Sequence, residues 1–417
     1  MKIAVFILIF LTMSTLVWSQ YDDPNFPIPS SGYGSDGPYT VSEEAFSNPY
    51  FPEMDIHIYH PAEIETPVPT IFYSHAFGGN FPAHIQEFLD FVAKKGYAVV
   101  FVPYETLDES VLDRYENLRE GFRKSALDFP NIIDTSRVGF MGHSFGGGAS
   151  FGIARKLCVD YQWGQSGRFI HSSAPWYSYD ITQEELQSFP EDMKLVVEVY
   201  YDDPVNDHRM AVDMFENINI PDSEKDFIMV MGDTINDYIY TAQHDLPTGT
   251  FAVDAMDYYA YYRIVDALCD YTFNGNLDGK AVALGDGGSQ QVTMPGDLIP
   301  LVQTDDPYST HPEEFYGFPC TALLNPRSEY CGLVNVDEFV LDQKGIEVFP
   351  NPTQEILFVS GIKDFASPSV DIRDMFGHGI LCSAQTSFGG ISIDVRSLRS
   401  GTYFIFIGSV RYLFVKV

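Results

Sequence analysis

The chain has 417 residues, of which 45% are hydrophobic, so it is long enough for two or three domains with a substantial core. It carries 24 Lys and Arg against 58 Asp and Glu, which gives a formal net charge of −34. A chain this acidic repels polyanions, so nucleic acid and anionic membranes are excluded as expected partners, and we attribute the acidity to solubility.

The first twenty residues predict a secretory signal. Lys2 provides a positive start, residues 3–17 form an apolar run, and small residues up to Ser19 suit cleavage, so we place the signal peptide at 1–19. The run is too short to favour a stable membrane span, and no later segment of the sequence is long and apolar enough, so we expect no membrane insertion. Residues 20–38 are rich in Pro, Gly, Ser and Asp and predict an extended lead-in.

From residue 39 the pattern predicts an α/β domain that extends to residue 341. Apolar runs typical of buried strands alternate with helical patterns at 83–95 and 115–129. The predicted strands lie at 54–60, 68–73, 97–102, 138–141, 168–170, 194–201 and 227–231. Strands that alternate with helices indicate a doubly wound, mostly parallel sheet covered on both faces. An aromatic-rich helix at 254–269 is expected to cover this core.

Residues 274–341 lose the regular pattern, and we describe them as an irregular extension of the α/β domain. Residues 274–279 imitate the front of a calcium-binding loop, but the twelfth position is Gly285 where such a loop needs Glu. We therefore predict no metal site. Five cysteines in an exported chain permit disulfides, and Cys320 with Cys331, close together in a loop-like stretch, is the predicted pair.

The nucleophile is predicted in the stretch 137–150. A short apolar run enters Gly142-His143-Ser144-Phe145-Gly146, a G-x-S-x-G motif, and a helical pattern follows. A serine raised on a tight strand-to-helix turn needs neighbours without side chains two positions away, which Gly142 and Gly146 provide. The turn places the Phe145 amide at a helix N-terminus, where it can donate to an oxyanion.

A serine nucleophile needs a histidine base and a carboxylate that orients it, and doubly wound hydrolases supply them in the order Ser, Asp, His. Of the ten histidines, His244 fits best because it follows the last predicted core strand. Asp202, Asp203 and Asp207 all follow the strand at 194–201. We favour Asp203, which precedes Pro204 and Val205, and Asp202 is the alternative.

The second oxyanion donor is expected from the loop at 75–79, after an early strand. The amide of Phe77 or of Ala76 would donate, and Gly78 and Gly79 would let the backbone approach. His75 is expected to brace this loop by hydrogen bonding. No cofactor is required for chemistry of this kind.

From residue 37 to His244 the chain resembles the bacterial cutinase-type polyester hydrolases, the group that includes PET-degrading enzymes. The matching residues are Gly-Pro-Tyr-Thr-Val at 37–41, Ile-Asp-Thr-Ser-Arg at 133–137, the serine motif, and Ala-Pro-Trp at 174–176. The resemblance implies an α/β-hydrolase fold with a triad of Ser144, Asp203 and His244. It also implies that Trp176 forms an aromatic wall of an open acyl cleft, with Phe77 as a second substrate-contacting residue; Trp176 as simple core packing is the alternative.

After residue 346, short strands separated by turns predict a small all-β sandwich. The Pro-Asn-Pro at 350–352, the Asp-x-x-Gly turn at 374–377 and the Ser-Gly-x-Tyr strand at 400–403 resemble the C-terminal sorting domain of the type IX secretion system. The resemblance implies a sorting domain at 346–417, the secretion machinery as a partner, and a product that is secreted or attached to the outer cell surface.

These predictions combine into an exported serine hydrolase that cleaves carboxylic esters or polyesters through an acyl-serine intermediate. Two alternatives remain open at this point. One is a phospholipase or platelet-activating-factor-type acetylhydrolase, since the loop at 75–79 also suits that group. The other is a non-catalytic surface-binding protein built on a hydrolase fold.

Overall fold

The computed structural model describes residues 21–248 and 253–332, followed by a set of shorter segments. These are 347–349, 353–360, 370–374, 379–380, 382–387, 390–399, 401–407 and 410–416. The predicted signal peptide at 1–19 and the last part of the predicted extension, 333–341, lie outside the described residues. The predicted lead-in is described from residue 21, and the Asp22 amide bonds the Val253 carbonyl.

A nine-stranded sheet forms the centre of the larger part of the chain. This part of the chain contains the nine strands of the sheet and two further short strands: β1 Val41–Ser47, β2 Asp55–Pro61, β3 Val68–Ser74, β4 Ala98–Phe101, β5 Ile133–His143, β6 Arg168–Ser173, β7 Lys194–Tyr200, β8 Lys225–Val230, β9 Asp233–Ile235, β10 Tyr238–Tyr240 and β11 Val302–Thr304. The sheet order is β1-β2-β4-β3-β5-β6-β7-β8-β11, and β9 and β10 form a separate hairpin. Neighbours from β4 to β8 pair in parallel, whereas the β1–β2, β2–β4 and β8–β11 pairs are antiparallel. The predicted mostly parallel sheet is confirmed.

Helices cover both faces of this sheet. They are α1 Gln86–Lys94, α2 Val111–Asp128, α3 Phe145–Asp160, α4 Gln183–Leu186, α5 His208–Asn217, α6 Arg263–Asn274, α7 Leu277–Ala283 and α8 Ser289–Val292, with a π-helical segment Met256–Tyr262 before α6 and short 3₁₀ turns at Pro82–His84, Asp222–Glu224, Leu246–Thr248, Glu313–Phe315 and Ser328–Tyr330. Helices α1 and α6 pack on one face, and α2, α3 and α5 on the other. The apolar run of β3 is continuous because the strand is buried on both faces. Tyr73 packs in the core with α1 and α6, and Phe72 packs in the core with α2, α3 and α5.

The prediction of irregular structure over 274–341 is wrong for residues 277–304, which contain α7, α8 and β11. Strand β11 adds to the sheet beside β8, and α7 packs against α6. Each of these elements is only three to seven residues long, too short for apolar periodicity to reveal it. Asn276, in the predicted calcium-like stretch, caps α7: its side-chain oxygen accepts from the Asp278 amide.

The C-terminal segments form two four-stranded antiparallel sheets. The strands are β12 Glu347–Phe349, β13 Ile356–Ser360, β14 Val370–Asp374, β15 Gly379–Ile380, β16 Ser383–Ser387, β17 Gly390–Asp394, β18 Gly401–Ile407 and β19 Val410–Lys416. The sheet orders are β12-β13-β17-β16 and β15-β14-β18-β19. Leu357 and Ile393 from one sheet share a buried core with Ile405 and Phe414 from the other, as expected for the predicted sandwich.

In the part of the chain that the structure describes, no helix combines the length and the apolar character that crossing a bilayer requires.

Asp226 on β8 makes stability depend on pH. Burial raises the pKa of this carboxyl to about 7, although the Gln291 amide donates to it. The folded state therefore binds this proton more tightly than the unfolded chain does, and stability falls as pH rises from about 4 to about 7. We expect Asp226→Asn to raise the Tm at pH 8 and to flatten the fall in Tm between pH 5 and pH 8, measured by calorimetry.

The control for that prediction is Asp297→Asn, which removes one exposed charge from the same acidic chain. Asp226→Asn itself need not leave an unpaired donor. The Gln303 amide donates to Asp226 and can turn over to accept from the new Asn. An equal rise in Tm in both variants would attribute the effect to net charge and contradict the role of Asp226.

Candidate active site

Ser144 lies on the sharp turn between the end of β5 and the start of α3. Its backbone has φ 56° and ψ −114°, a conformation that L side chains rarely adopt. The turn is held from both sides, since the Ser144 amide bonds the Ser173 carbonyl at 2.9 Å and the Ser144 carbonyl accepts from the Trp176 amide at 2.8 Å. The strain at Ser144 is thus maintained by the neighbouring loops.

The two motif glycines are required by close backbone contacts. A Cβ on Gly142 would lie 2.2 Å from the Gly146 carbonyl oxygen, and one on Gly146 would lie 1.9 Å from the Ser74 carbonyl oxygen. Neither obstacle is a side chain that can move away. The spacing of the motif therefore follows from how tightly β3, β5 and α3 meet.

The structure brings Ser144, His244 and Asp203 together from three separate loops. The Ser144 Oγ lies 2.9 Å from His244 Nε2, and His244 Nδ1 lies 2.7 Å from Asp203 Oδ2. Ser144 follows β5, Asp203 follows β7, and His244 follows the β9–β10 hairpin after β8. Because the ionised carboxylate can only accept, His244 Nδ1 carries the proton and Nε2 is left to accept from the Ser144 hydroxyl.

Asp203 is fully buried and is held by its own turn. Its Oδ1 accepts from the Val205 amide at 2.7 Å and from the Asn206 amide at 3.4 Å, which leaves Oδ2 for His244. Burial acts to raise the pKa of this carboxyl, but the electrostatic attraction to His244 and the hydrogen bond from its ring outweigh burial, so the pKa of Asp203 lies below its usual value. The carboxylate is therefore ionised at neutral pH.

The other two candidate carboxylates do not reach the histidine. Burial raises the pKa of Asp202, which lies near His311. Asp207 caps α5 and pairs with Arg209. Among the three acidic residues after β7, only Asp203 is hydrogen-bonded to His244.

His143, inside the serine motif, positions the His244 loop. Its Nε2 lies 2.6 Å from the His244 carbonyl oxygen. Burial lowers the pKa of His143 to about 3, so the ring is neutral and this nitrogen must carry the proton that it donates. The sequence offered no sign of this role, because the contact joins residues 101 apart in the chain.

The predicted oxyanion donors are two backbone amides at the same edge of the sheet. In the described part of the chain, neither the Phe77 amide nor the Phe145 amide has a hydrogen-bond acceptor. The Phe77 loop is a turn closed by a bond from the Gly79 amide to the Ala76 carbonyl, with Gly78 at φ 81°. The hydrogen bonds of the described residues thus use neither amide.

His75 braces that loop, in the manner that the sequence predicts. Its Nδ1 lies 2.7 Å from the Ala76 carbonyl, its Nε2 accepts from the Tyr104 amide at 3.2 Å, and its ring stacks on the Tyr104 ring at 4.0 Å. Burial lowers the pKa of His75 to about 3, so it remains a neutral imidazole with one donor and one acceptor. In the described part of the chain, no hydrogen bond joins His75 to Ser144.

The two predicted substrate-contacting rings differ in their surroundings. The Phe77 ring is 41% exposed, and the Arg114 guanidinium lies 5.2 Å from its centre. Trp176 is half-buried between the rings of Phe145, at 5.8 Å, and Phe318, at 5.8 Å. Phe77 is therefore free to meet a ligand, whereas Trp176 combines packing with partial exposure.

Residues 313–331, which we call the strap, lie against the turn that carries Asp203. The Gly317 and Phe318 amides bond the Pro204 and Val205 carbonyls, each at 2.8 Å. The predicted Cys320–Cys331 disulfide is confirmed and closes the strap. A segment that the sequence left without a role thus supports the carboxylate of the site.

Comparison with known proteins identifies the C-terminal part of the chain. Residues 347–416 match the family described as the secretion system C-terminal sorting domain. No curated protein matches the chain. The tail marks the protein for type IX secretion, so it is secreted or attached to the cell surface and engages the secretion machinery.

Proposed function

We propose that this protein is a secreted serine hydrolase that cleaves carboxylic esters through an acyl-Ser144 intermediate. The observation that carries the proposal is the hydrogen-bonded chain from Ser144 Oγ to His244 Nε2, at 2.9 Å, and from His244 Nδ1 to Asp203 Oδ2, at 2.7 Å. These are the distances that proton transfer from a serine hydroxyl requires.

In the proposed reaction, the Ser144 Oγ attacks the ester carbonyl carbon while His244 Nε2 takes the hydroxyl proton. The carbonyl oxygen becomes an oxyanion held by the amides of Phe145 and Phe77. When the tetrahedral intermediate collapses, the bond to the alcohol oxygen breaks and His244 returns the proton to that alcohol. Water then attacks the acyl-serine with His244 as base, and the acid leaves. Two amide donors of this kind typically contribute several kcal/mol of transition-state stabilisation.

The fold supports an α/β-hydrolase assignment. The nucleophile lies on a strained strand-to-helix turn after β5, and the acid and base follow later in the chain, in the order of doubly wound hydrolases. Residues of this kind lie beyond the carboxyl ends of parallel strands, where loops converge. Within this superfamily, the motifs at 37–41, 133–137 and 174–176 favour the cutinase-type polyester hydrolases.

The surroundings of Ser144 favour an uncharged ester with an apolar or aromatic acyl group. Phe77, whose amide is the proposed oxyanion donor, has an exposed aromatic ring, and half-buried Trp176 packs on Phe145, the residue after Ser144. Aromatic rings bind apolar groups through buried area and stacking. Short-chain esters and aliphatic or aromatic polyesters fit this chemistry.

The proposal is tested by treating the full chain with a fluorophosphonate and locating the adduct by peptide mass spectrometry. We expect one adduct, on Ser144, which disappears when the protein is heat-denatured first. Nitrophenyl esters of rising chain length, a polyester film and an acetyl phospholipid are then compared as substrates. Folded protein that neither forms the adduct nor hydrolyses any of these would contradict the proposal and favour a non-catalytic binding protein. Preference for the acetyl phospholipid would instead assign it to the acetylhydrolase type.

A further inference from the structure

The side chain of Asn206, which lies outside the serine motif, contacts the Oγ atom of Ser144. Its Nδ2 lies 3.3 Å from Ser144 Oγ and 2.8 Å from the Ala174 carbonyl oxygen, and the side chain is 2% exposed. A carbonyl oxygen can only accept, so the atom facing Ala174 must be the amide nitrogen. This fixes the orientation of the amide and directs an N–H group at Ser144 Oγ.

The arrangement is rigid because Asn206 belongs to the turn that carries the triad acid. Its backbone amide donates to Asp203 Oδ1, and its main chain pairs with Phe318 of the strap. The side chain is therefore fixed on both the acid side and the nucleophile side of the site. A fixed donor stabilises charge without the cost of reorganising when the charge develops.

The amide is kept there at a cost. The Oδ1 atom of Asn206 is buried and has no hydrogen-bond partner among the described residues. A buried polar atom without a partner destabilises a fold, so an unpaired oxygen of this kind calls for an explanation. The bond from Nδ2 to the Ala174 carbonyl uses only one end of the amide and leaves the other end unpaired.

We propose, on the basis of the serine-hydrolase function above, that Asn206 is a catalytic residue that stabilises negative charge on Ser144 Oγ. Charge develops on this oxygen twice. In acylation, Oγ gives its proton to His244 and attacks the carbonyl. An N–H donor stabilises the negative charge on Oγ but also lowers its nucleophilicity, so the two effects oppose each other.

In deacylation the two effects do not oppose each other. A water oxygen bonds to the acyl carbon while His244 takes the water proton, and the C–Oγ bond then breaks with its electron pair on Oγ, which receives the proton from His244. Oγ is the leaving group, so an N–H donor only assists. Asn206 therefore contributes more to deacylation than to acylation.

The test separates the two steps in Asn206→Ala. The protein is mixed with nitrophenyl acetate, and the intact mass follows the formation and decay of the acetyl adduct over time. We expect decay to slow by roughly ten- to a hundredfold, as for loss of one donor to a charged oxygen, and formation to slow by much less. Asn206→Leu, which fills the volume without a donor, is expected to behave in the same way if the alanine variant folds poorly.

Asn325→Ala is the matched control, because Asn325 is equally buried and donates to the Cys320 carbonyl without touching Ser144. We expect it to lower the Tm and leave the ratio of the two rates unchanged. Equal slowing of both steps in Asn206→Ala, or no change in either, would overturn the inference. A native protein that forms no acyl adduct would remove the proposed function itself, and that outcome is visible before any variant is made.

Discussion

Asp203→Asn is expected to lower kcat for ester hydrolysis by about 10⁴-fold, the loss seen when a triad carboxylate becomes an amide. Asp203 Oδ1 accepts from the Val205 and Asn206 amides, so the oxygen of the new Asn will stay there and its nitrogen will face His244. An amide nitrogen donates, which forces His244 Nδ1 to accept and puts the ring proton on Nε2. That nitrogen then cannot take the proton of Ser144.

The prediction is checked by steady-state kinetics with a nitrophenyl ester. Because Asp203 is fully buried, it does not contact substrate, and we expect KM to change little. Asp202→Asn is the control, since it removes the neighbouring carboxylate without touching His244. We expect kcat of this variant to stay within about twofold of the native protein, the usual range for a change away from the reacting groups. Equal losses in the two variants would contradict the assignment of the acid.

The positions of Ser144 and His244 at one site are predictable from sequence because their signals are local. The glycines at 142 and 146 are spaced for a tight turn, and a strand pattern precedes Ser144 while a helix pattern follows it. His244 is found by order along the chain, since it follows the last core strand. The parallel sheet is predictable for the same reason: its strands are continuous apolar runs separated by helices.

Sequence neighbours alone do not decide which of the three acids bonds His244. Asp202, Asp203 and Asp207 occupy one turn, and the answer depends on which carboxylate the backbone amides of that turn bond, a property of its three-dimensional path. Asn206 is a stronger case, because nothing in its sequence neighbourhood indicates a contact with an oxygen 62 residues away. Strand β11 is not predictable from the sequence, because three residues are too few to show an apolar periodicity.

Gly146→Ala is expected to destabilise the α/β domain by about 3 kcal/mol or more, at the upper end of overpacking effects. The new Cβ would lie 1.9 Å from the Ser74 carbonyl oxygen and 2.4 Å from its carbon. Both atoms belong to the end of β3, which pairs with β4 and β5 in the centre of the sheet. The clash can be relieved only by moving α3 away from β3, which also displaces the turn at Ser144. We expect a large fall in Tm, or loss of soluble protein.

The matched control is Gly332→Ala, where a Cβ would have no atom of the described residues within 4 Å beyond its chain neighbours. Both changes add one methyl group and restrict the unfolded chain to the same extent, and helix propensity favours alanine in α3, so a lower Tm for Gly146→Ala than for Gly332→Ala reports the clash with Ser74. Calorimetry of the two purified proteins gives that difference. Equal Tm values would show that β3 and α3 are further apart than described. The turn would then not hold Ser144 under strain, and the spacing of the two motif glycines would need another cause.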